Sequence, residues 1–202
     1  MNTQTHVLIA TALFARSGVG NRARNVAAVA GGFLPDLPIY LMFLWSKIVG
    51  APEMEVWETW YFNPPWQTAT DLSHSFVLYW LIAMIGVWVV KWGGEKSDRG
   101  VVMVIFALAA ISHGLGDFLL HVNDGHAHFW PLSGWRFSSP VSYWDPRYYG
   151  QYFSIFEILL GIGLSVVLFR RFSGRIVRLV LVLCMAAYIV VPAYFVLVVG
   201  HH

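Results

Sequence analysis

Charged side chains are scarce in this sequence. Asp, Glu, Lys and Arg make up 12% of its 202 residues, against roughly a quarter in a soluble domain of this size. That deficit excludes an ordinary water-facing surface. Cysteine is nearly absent too. Cys184 stands alone, which rules out a disulfide framework or a cysteine-built metal site within one chain. There is no Gly-rich phosphate loop, no internal repeat and no low-complexity linker, so 1–202 is read as one integral membrane domain. The basic residues sit in short clusters beside apolar runs. With a formal net charge of +2 and a pI near 8.8, they give no sign of nucleic-acid binding.

What is present is hydrophobic: 57% of the residues. Five long apolar runs account for it, Asn25 to Trp45, Ser75 to Val90, Gly100 to Leu120, Gln151 to Phe169 and Ile176 to Val199. Each approaches the ~20 apolar residues that a helix needs to cross ~30 Å of hydrocarbon. The expected fold is all-α, a polytopic transmembrane bundle of five long spans. A shorter apolar stretch, His6 to Ala15, is followed by Arg16. A signal peptide carries its positive charge before the apolar core, so this stretch is expected to be retained. It forms a short helix that either crosses as a sixth span or stops short.

Lys and Arg divide unevenly between the loops. Arg16, Arg22 and Arg24, then Lys91, Lys96 and Arg99, then Arg170, Arg171, Arg175 and Arg178 all fall on one side. The other side has only Lys47, Arg136 and Arg147, together with Glu53, Glu55, Glu58, Asp71, Asp124 and Asp145. The positive-inside rule puts the first side in the cytoplasm and the second outside, where the C-terminus also ends. The two long outer loops hold Trp57, Trp60, Tyr61, Trp66, Trp130, Trp135, Tyr143, Trp144, Tyr148 and Tyr149. Such aromatics either anchor a bundle at headgroup depth or lie over a site and cover it.

Three acids interrupt the apolar runs: Asp36, Asp117 and Glu157. An Asp at the centre of a membrane helix costs ~2.5–3.5 kcal/mol on insertion scales, and such groups face a bundle interior and carry function. His113 and Asp117 are spaced i, i+4, which puts both on one helix face, about 6 Å apart along the axis. Two such side chains can share one ion. His121 lies about 12 Å along the axis from His113, too far to join it on one ion; it supports a ligand from behind, serves a second metal or, as the favoured reading, is a plain interface residue. Asp36 sits in Gly31-Gly32-Phe33-Leu34-Pro35-Asp36-Leu37-Pro38, a pattern for a broken helix. Its bland role would be to cap the restarted helix. Straight helices leave His74 about 10 Å shallower than Asp36, a gap that a break at Pro35 or a dipped loop before His74 would close. His126 and His128 have ligand-like spacing, but loop histidines are more often solvated. His201 and His202 are read as a tail.

At Thr5-His6, Leu34-Pro35-Asp36, Ser73-His74-Ser75 and His113-Gly114-Leu115-Gly116-Asp117 the sequence resembles a family. It is similar to the bacterial inner-membrane proteins described as predicted membrane-bound metal-dependent hydrolases, the YdjM-like group. The resemblance runs to about His121. Beyond it, the stretch from His126 to Asp145 looks like a subgroup often labelled cobalamin biosynthesis. Without a phosphate loop or a soluble cysteine nucleophile, that label has no physical support. The resemblance implies a multi-pass protein of a bacterial-type inner membrane that uses a divalent metal.

The expected ligands are His6, Asp36, His74, His113 and Asp117, with Glu157 as a nearby acid. Histidine plus carboxylate without cysteine suits Zn²⁺ first, then Mn²⁺ or Fe²⁺. Five candidates suit one ion with spare supporting groups, or two ions sharing a carboxylate. The expected activity is hydrolysis of a lipid-like ester or phosphodiester from the extracytoplasmic side, with Asp36, Asp117 or Glu157 taking the proton. Two other classes stay open. An ion- or proton-coupled transporter would place polar residues in both halves of the bilayer. A structural or regulatory protein would only pair these groups with each other.

Overall fold

A computed structural model describes residues 1–194. The end of the fifth apolar run, His201 and His202 lie outside the described residues. Those described form helices and loops, with no strand among them. The helices are α1 (Thr3–Phe14), α2 (Arg22–Phe33), α3 (Leu37–Val49), α4 (Glu53–Glu58), α5 (Trp66–Ser73), α6 (Phe76–Trp92), α7 (Ser97–Phe118), α8 (Gly150–Arg171) and α9 (Arg175–Tyr194). Four stretches are long and apolar enough to cross a membrane: Arg22–Val49, Gly94–Phe118, Gly150–Arg171 and Arg175–Ala193. A fifth is the pair α5 and α6, bent by 40° at the break between them. Helix α1 has 12 residues, about 18 Å of rise, which is short of the hydrocarbon thickness.

The span Arg22–Val49 is broken where the sequence suggests. Pro35 has no N–H to give the carbonyl of Gly31, so the helical ladder fails there. Leu34–Asp36 form a 3-10 turn, and α3 restarts with Pro38 in its first turn. Asp36 does not cap α3; its side chain is used elsewhere. Helix α3 ends at Gly50, whose φ of 71° is the left-handed conformation that glycine adopts without penalty.

Helix α7 is the centre of the bundle. It packs against α1, α2 and α6, while α8 packs against α9 and α1. Between α6 and α7 the core is Tyr79, Ala83, Ala107, Ala110 and Ile111. Small residues dominate because membrane helices associate through close backbone approach rather than hydrophobic expulsion. Gly31 shows how close: a Cβ there would stand 2.4 Å from the Phe106 carbonyl oxygen and 2.6 Å from Ala109 Cβ. The outward faces carry Trp80, Leu81, Met84, Ile85 and Trp88 on α6 and Ile155, Phe156 and Leu159 on α8, all exposed. Lipid is the solvent that suits them.

The basic residues gather at one end of the bundle. Arg24 of α2 pairs with Asp98 of α7 at 2.9 Å. Arg171 of α8 closes the end of α1 by donating to the carbonyls of Ala12 at 2.6 Å and Ala15 at 3.1 Å. Arg99 and Asp117 stand at opposite ends of α7, about 27 Å apart by helical rise.

Gly31→Leu is expected to destabilise the protein in detergent by at least the ~1–3 kcal/mol of overpacking, because the obstructing atom is backbone. Gly163→Ala meets nothing within 4 Å and serves as the control. Thermal unfolding followed by circular dichroism checks the difference.

Candidate metal centre

Four donors from three separate parts of the chain converge. Asp36 comes from the break between α2 and α3, His74 from the bend between α5 and α6, and His113 and Asp117 from the last turns of α7. One ligand atom from each lies within 4.8 Å of all the others. His113 Nε2 is 2.9 Å from Asp117 Oδ2 and 3.4 Å from Asp36 Oδ1. His74 Nε2 is 3.3 Å and 3.6 Å from the same two oxygens. The i, i+4 pairing of His113 with Asp117 holds. The depth gap between Asp36 and His74 closes through both devices at once, and the hydroxyl of Ser73 ties them together by donating to the Pro35 carbonyl at 2.6 Å.

The ring orientations are fixed from behind. His74 Nδ1 donates to the Thr70 carbonyl at 2.8 Å, and His113 Nδ1 donates to the Gly32 carbonyl at 2.9 Å. Each bond selects the tautomer that leaves a lone pair on Nε2, as in metal-ligating histidines. Those Nε2 atoms and Asp117 Oδ2 are buried and have no hydrogen-bond partner. They lie close together, yet the geometry of a hydrogen bond is not met between them. Buried polar atoms are almost always satisfied, so three such atoms aimed at one point fit a divalent cation. Asp36 Oδ2 accepts from Thr3 Oγ1 at 2.5 Å, which orients the carboxylate.

The other oxygen of Asp117 faces a different set. His6 Nε2 lies 2.9 Å from Oδ1, the amino group of Met1 3.2 Å and His121 Nε2 3.4 Å. The His6 ring stacks on that of His113 with centroids 3.7 Å apart. The two glycines between His113 and Asp117 make room for this crowd. A Cβ on Gly116 would stand 2.9 Å from His6 Cε1, and one on Gly114 would stand 2.8 Å from the Phe76 ring and 3.5 Å from His128.

The segment after α7 folds over the centre as a cap. Asp71 of α5 is its latch: one oxygen accepts from the Ala127 amide at 2.9 Å, the other from Arg136 at 2.5 Å. Arg136 also reaches the Gly125 carbonyl at 2.7 Å. The Phe76 amide donates to the His128 carbonyl at 2.8 Å, and the Ser75 hydroxyl, which also caps α6, bonds the Trp130 carbonyl. Tyr61 donates to the Asp124 carbonyl at 3.0 Å and Trp144 to its carboxylate at 2.9 Å. So the aromatic loops do cover the site at Tyr61 and Tyr143, while Trp135 and Tyr149 remain exposed.

The YdjM inner membrane protein family matches residues 1–197. The chain belongs to that family. No curated protein and no solved structure matches it. The family match passes far beyond His121, so it takes in the cap of this YdjM-family chain as well as its four-donor group.

Two histidines of the cap differ from expectation: His126 and His128 are not solvated but buried, and His121 at the end of α7 is buried beside them. Loop position alone favours solvation, but the latch at Asp71 folds the loop inward. Burial, with His74 beside it, holds the His126 imidazole well below its ordinary pKa and holds His128 down to about 4. Asp117, His121 and His126 offer donor atoms within 4.8 Å of one another. The spacing His113, Asp117, His121 was the signal for this: two steps of four along one face. His6 is brought to Asp117 but falls outside both donor groups. Glu157 also falls outside them, both of its oxygens being taken by Asn2, at 2.8 Å from the amide and 2.9 Å from the side chain.

Arg136→Ala is expected to unlatch the cap. Losing a charge-assisted bond to buried Asp71 costs about 1.5–3 kcal/mol. Limited proteolysis between 121 and 150 should then run roughly tenfold faster or more than in wild type.

Proposed function

We propose that this chain is a membrane-embedded, metal-dependent hydrolase acting on an amphiphilic ester or phosphodiester from the extracytoplasmic side. The observation that carries the reading is the set of unpartnered His74 Nε2, His113 Nε2 and Asp117 Oδ2, held from behind and aimed at one point beside Asp36. Two histidines and two carboxylates without cysteine suit Zn²⁺, with Mn²⁺ or Fe²⁺ next. When bound, the ion supplies a Lewis acid that polarises the scissile bond and lowers the pKa of water. Asp36 is the least enclosed of the four donors; with His74, His113 and Asp117 holding the ion, it would be the spare carboxylate that takes the proton, with Thr3 on its far oxygen. His6 steadies Asp117.

A proton-coupled carrier needs titratable groups along its path. Among the described residues, the helices place no acid, imidazole or cation between the site and the basic end. From Val7 to Ala15, Asn25 to Pro35, Gly100 to Ser112 and Ile158 to Phe169 there is no Asp, Glu, His, Lys or Arg. A site open to one side favours an enzyme. The cytoplasmic assignment of the basic end rests on the positive-inside rule. With Arg99 at the inner boundary, His113 and Asp117 stand about 21 and 27 Å along α7, about 9 and 3 Å below the far face of ~30 Å of hydrocarbon. A lipid presents its ester or phosphodiester near that level, whereas a freely soluble substrate must leave water to reach it. The cap limits bulk water, which strengthens electrostatic action on the bond.

Protein purified in mild detergent and supplemented with Zn²⁺ is expected to retain the metal, and His113→Ala and Asp117→Ala are each expected to lose most of it. Less than about a tenth of an equivalent in wild type, well below a closed ligand set, sinks the metal reading. Metal-loaded protein should also consume a component of mixed membrane lipids in an Asp117-dependent way. Asp117-dependent turnover of a soluble phosphoester or peptide, with no lipid consumed, refutes the amphiphile and leaves the metal centre standing.

A further inference from the structure

The second donor group lies beside the first and shares Asp117 with it. The carboxylate divides its oxygens: Oδ2 faces His74 and His113, and Oδ1, which also meets His6 and the Met1 amino group, faces His121 Nε2 at 3.4 Å. His126 reaches the same place from the cap, and its ring stacks on His74 with centroids 3.8 Å apart. All three side chains are buried. His121 is additionally held against Asp124, whose Oδ1 lies 3.1 Å from Nδ1. That Nδ1 atom is buried without a satisfactory hydrogen bond. A carboxylate behind a histidine is the arrangement that orients metal ligands and raises their basicity.

We propose that Asp117, His121 and His126 hold a second divalent ion, with Asp117 bridging it to the first. The proposal rests on the metal reading of the four-donor group. It gives the cap a task beyond excluding water, because His126 is a ligand only when the Asp71 latch is closed. The cap and the second ion therefore hold each other in place. Paired ions on a shared carboxylate are suited to phosphoryl and ester substrates, whose attacking and leaving oxygens both need stabilisation. This favours a phosphodiester within the amphiphile class.

The test is a metal count on the full chain in mild detergent, loaded with Zn²⁺ and freed of loosely held ion. Wild type is expected to hold two equivalents. His126→Ala and His121→Gln are each expected to hold one while eluting from a sizing column as wild type does. The glutamine variant keeps side-chain bulk if alanine proves too disruptive. Mn²⁺-loaded wild type should show the spin-coupled spectrum of a bridged pair, lost in His126→Ala. One equivalent in wild type, or two retained in either variant, overturns the second site and leaves the first intact. No bound ion in wild type overturns both.

Discussion

Asp117 is the constraint on which the rest of the structure depends. A carboxylate at this depth is costly unless it is paired, and here it is 2% exposed. The surrounding chain is arranged to satisfy it. Helix α7 supplies His113 one turn earlier, α1 brings His6, the bend before α6 brings His74, and the turn after α7 brings His121. Each partner arrives from a different element, so the site closes only when the bundle is assembled. Folding and site formation are one event in this chain, and the same packing that admits the helices to each other sets the donors in place.

Two departures from regular helix make that convergence geometrically attainable. An unbroken helix over 22–49 would carry its backbone past α7 with every carbonyl engaged. The break at Pro35 turns Asp36 inward and frees the Gly32 carbonyl to fix His113. The bend after Ser73 lowers His74 to meet them. Irregular backbone at membrane depth is tolerated where protein buries it, and Ser73 donating to Pro35 joins the two irregular segments directly. The neighbouring small residues have the same logic. Gly114 and Gly116 leave α7 bare on the face where imidazoles must lie against it.

Much of this was legible in sequence because membrane burial makes polar residues conspicuous. Asp36, His74, His113 and Asp117 stood out against apolar runs, and the i, i+4 rule paired the last two correctly. The helical bundle followed from run length alone. What was not legible lay in the loop after Phe118. In a water-soluble setting, or in a loop that reads as outer and exposed, His126 and His128 are unremarkable. Their burial is decided by Asp71 and Arg136, 65 residues apart in sequence, and no local pattern announces a pair at that separation. For His121 the distance from His113 excludes sharing one ion, but the carboxylate midway between them has two oxygens, and each can face a different neighbour. Glu157 shows that depth along a helix says nothing about azimuth: its oxygens are engaged by Asn2, next to the Met1 amino group that meets Asp117.

The distribution of titratable groups bears on mechanism as well as on topology. Among the described residues, the six helices that approach the basic end carry no acid, histidine or cation over the stretch between that end and the site. A charge introduced at Asp117 therefore has no relay toward the basic face, and a proton released there can leave only toward the cap. At the cap end the reverse holds: Asp36, Asp124, His121, His126 and His128 lie within a few ångströms of the centre or of each other. Under the proposed hydrolase reading, proton release, substrate entry and product exit would all use that face of the bundle. That confinement suits a hydrolase better than a carrier, since hydrolysis needs water and an exit for protons on the same side as the bond. An apolar floor also lowers the local dielectric beneath the donors, and this strengthens the hold of Asp36 and Asp117 on any divalent ion above it.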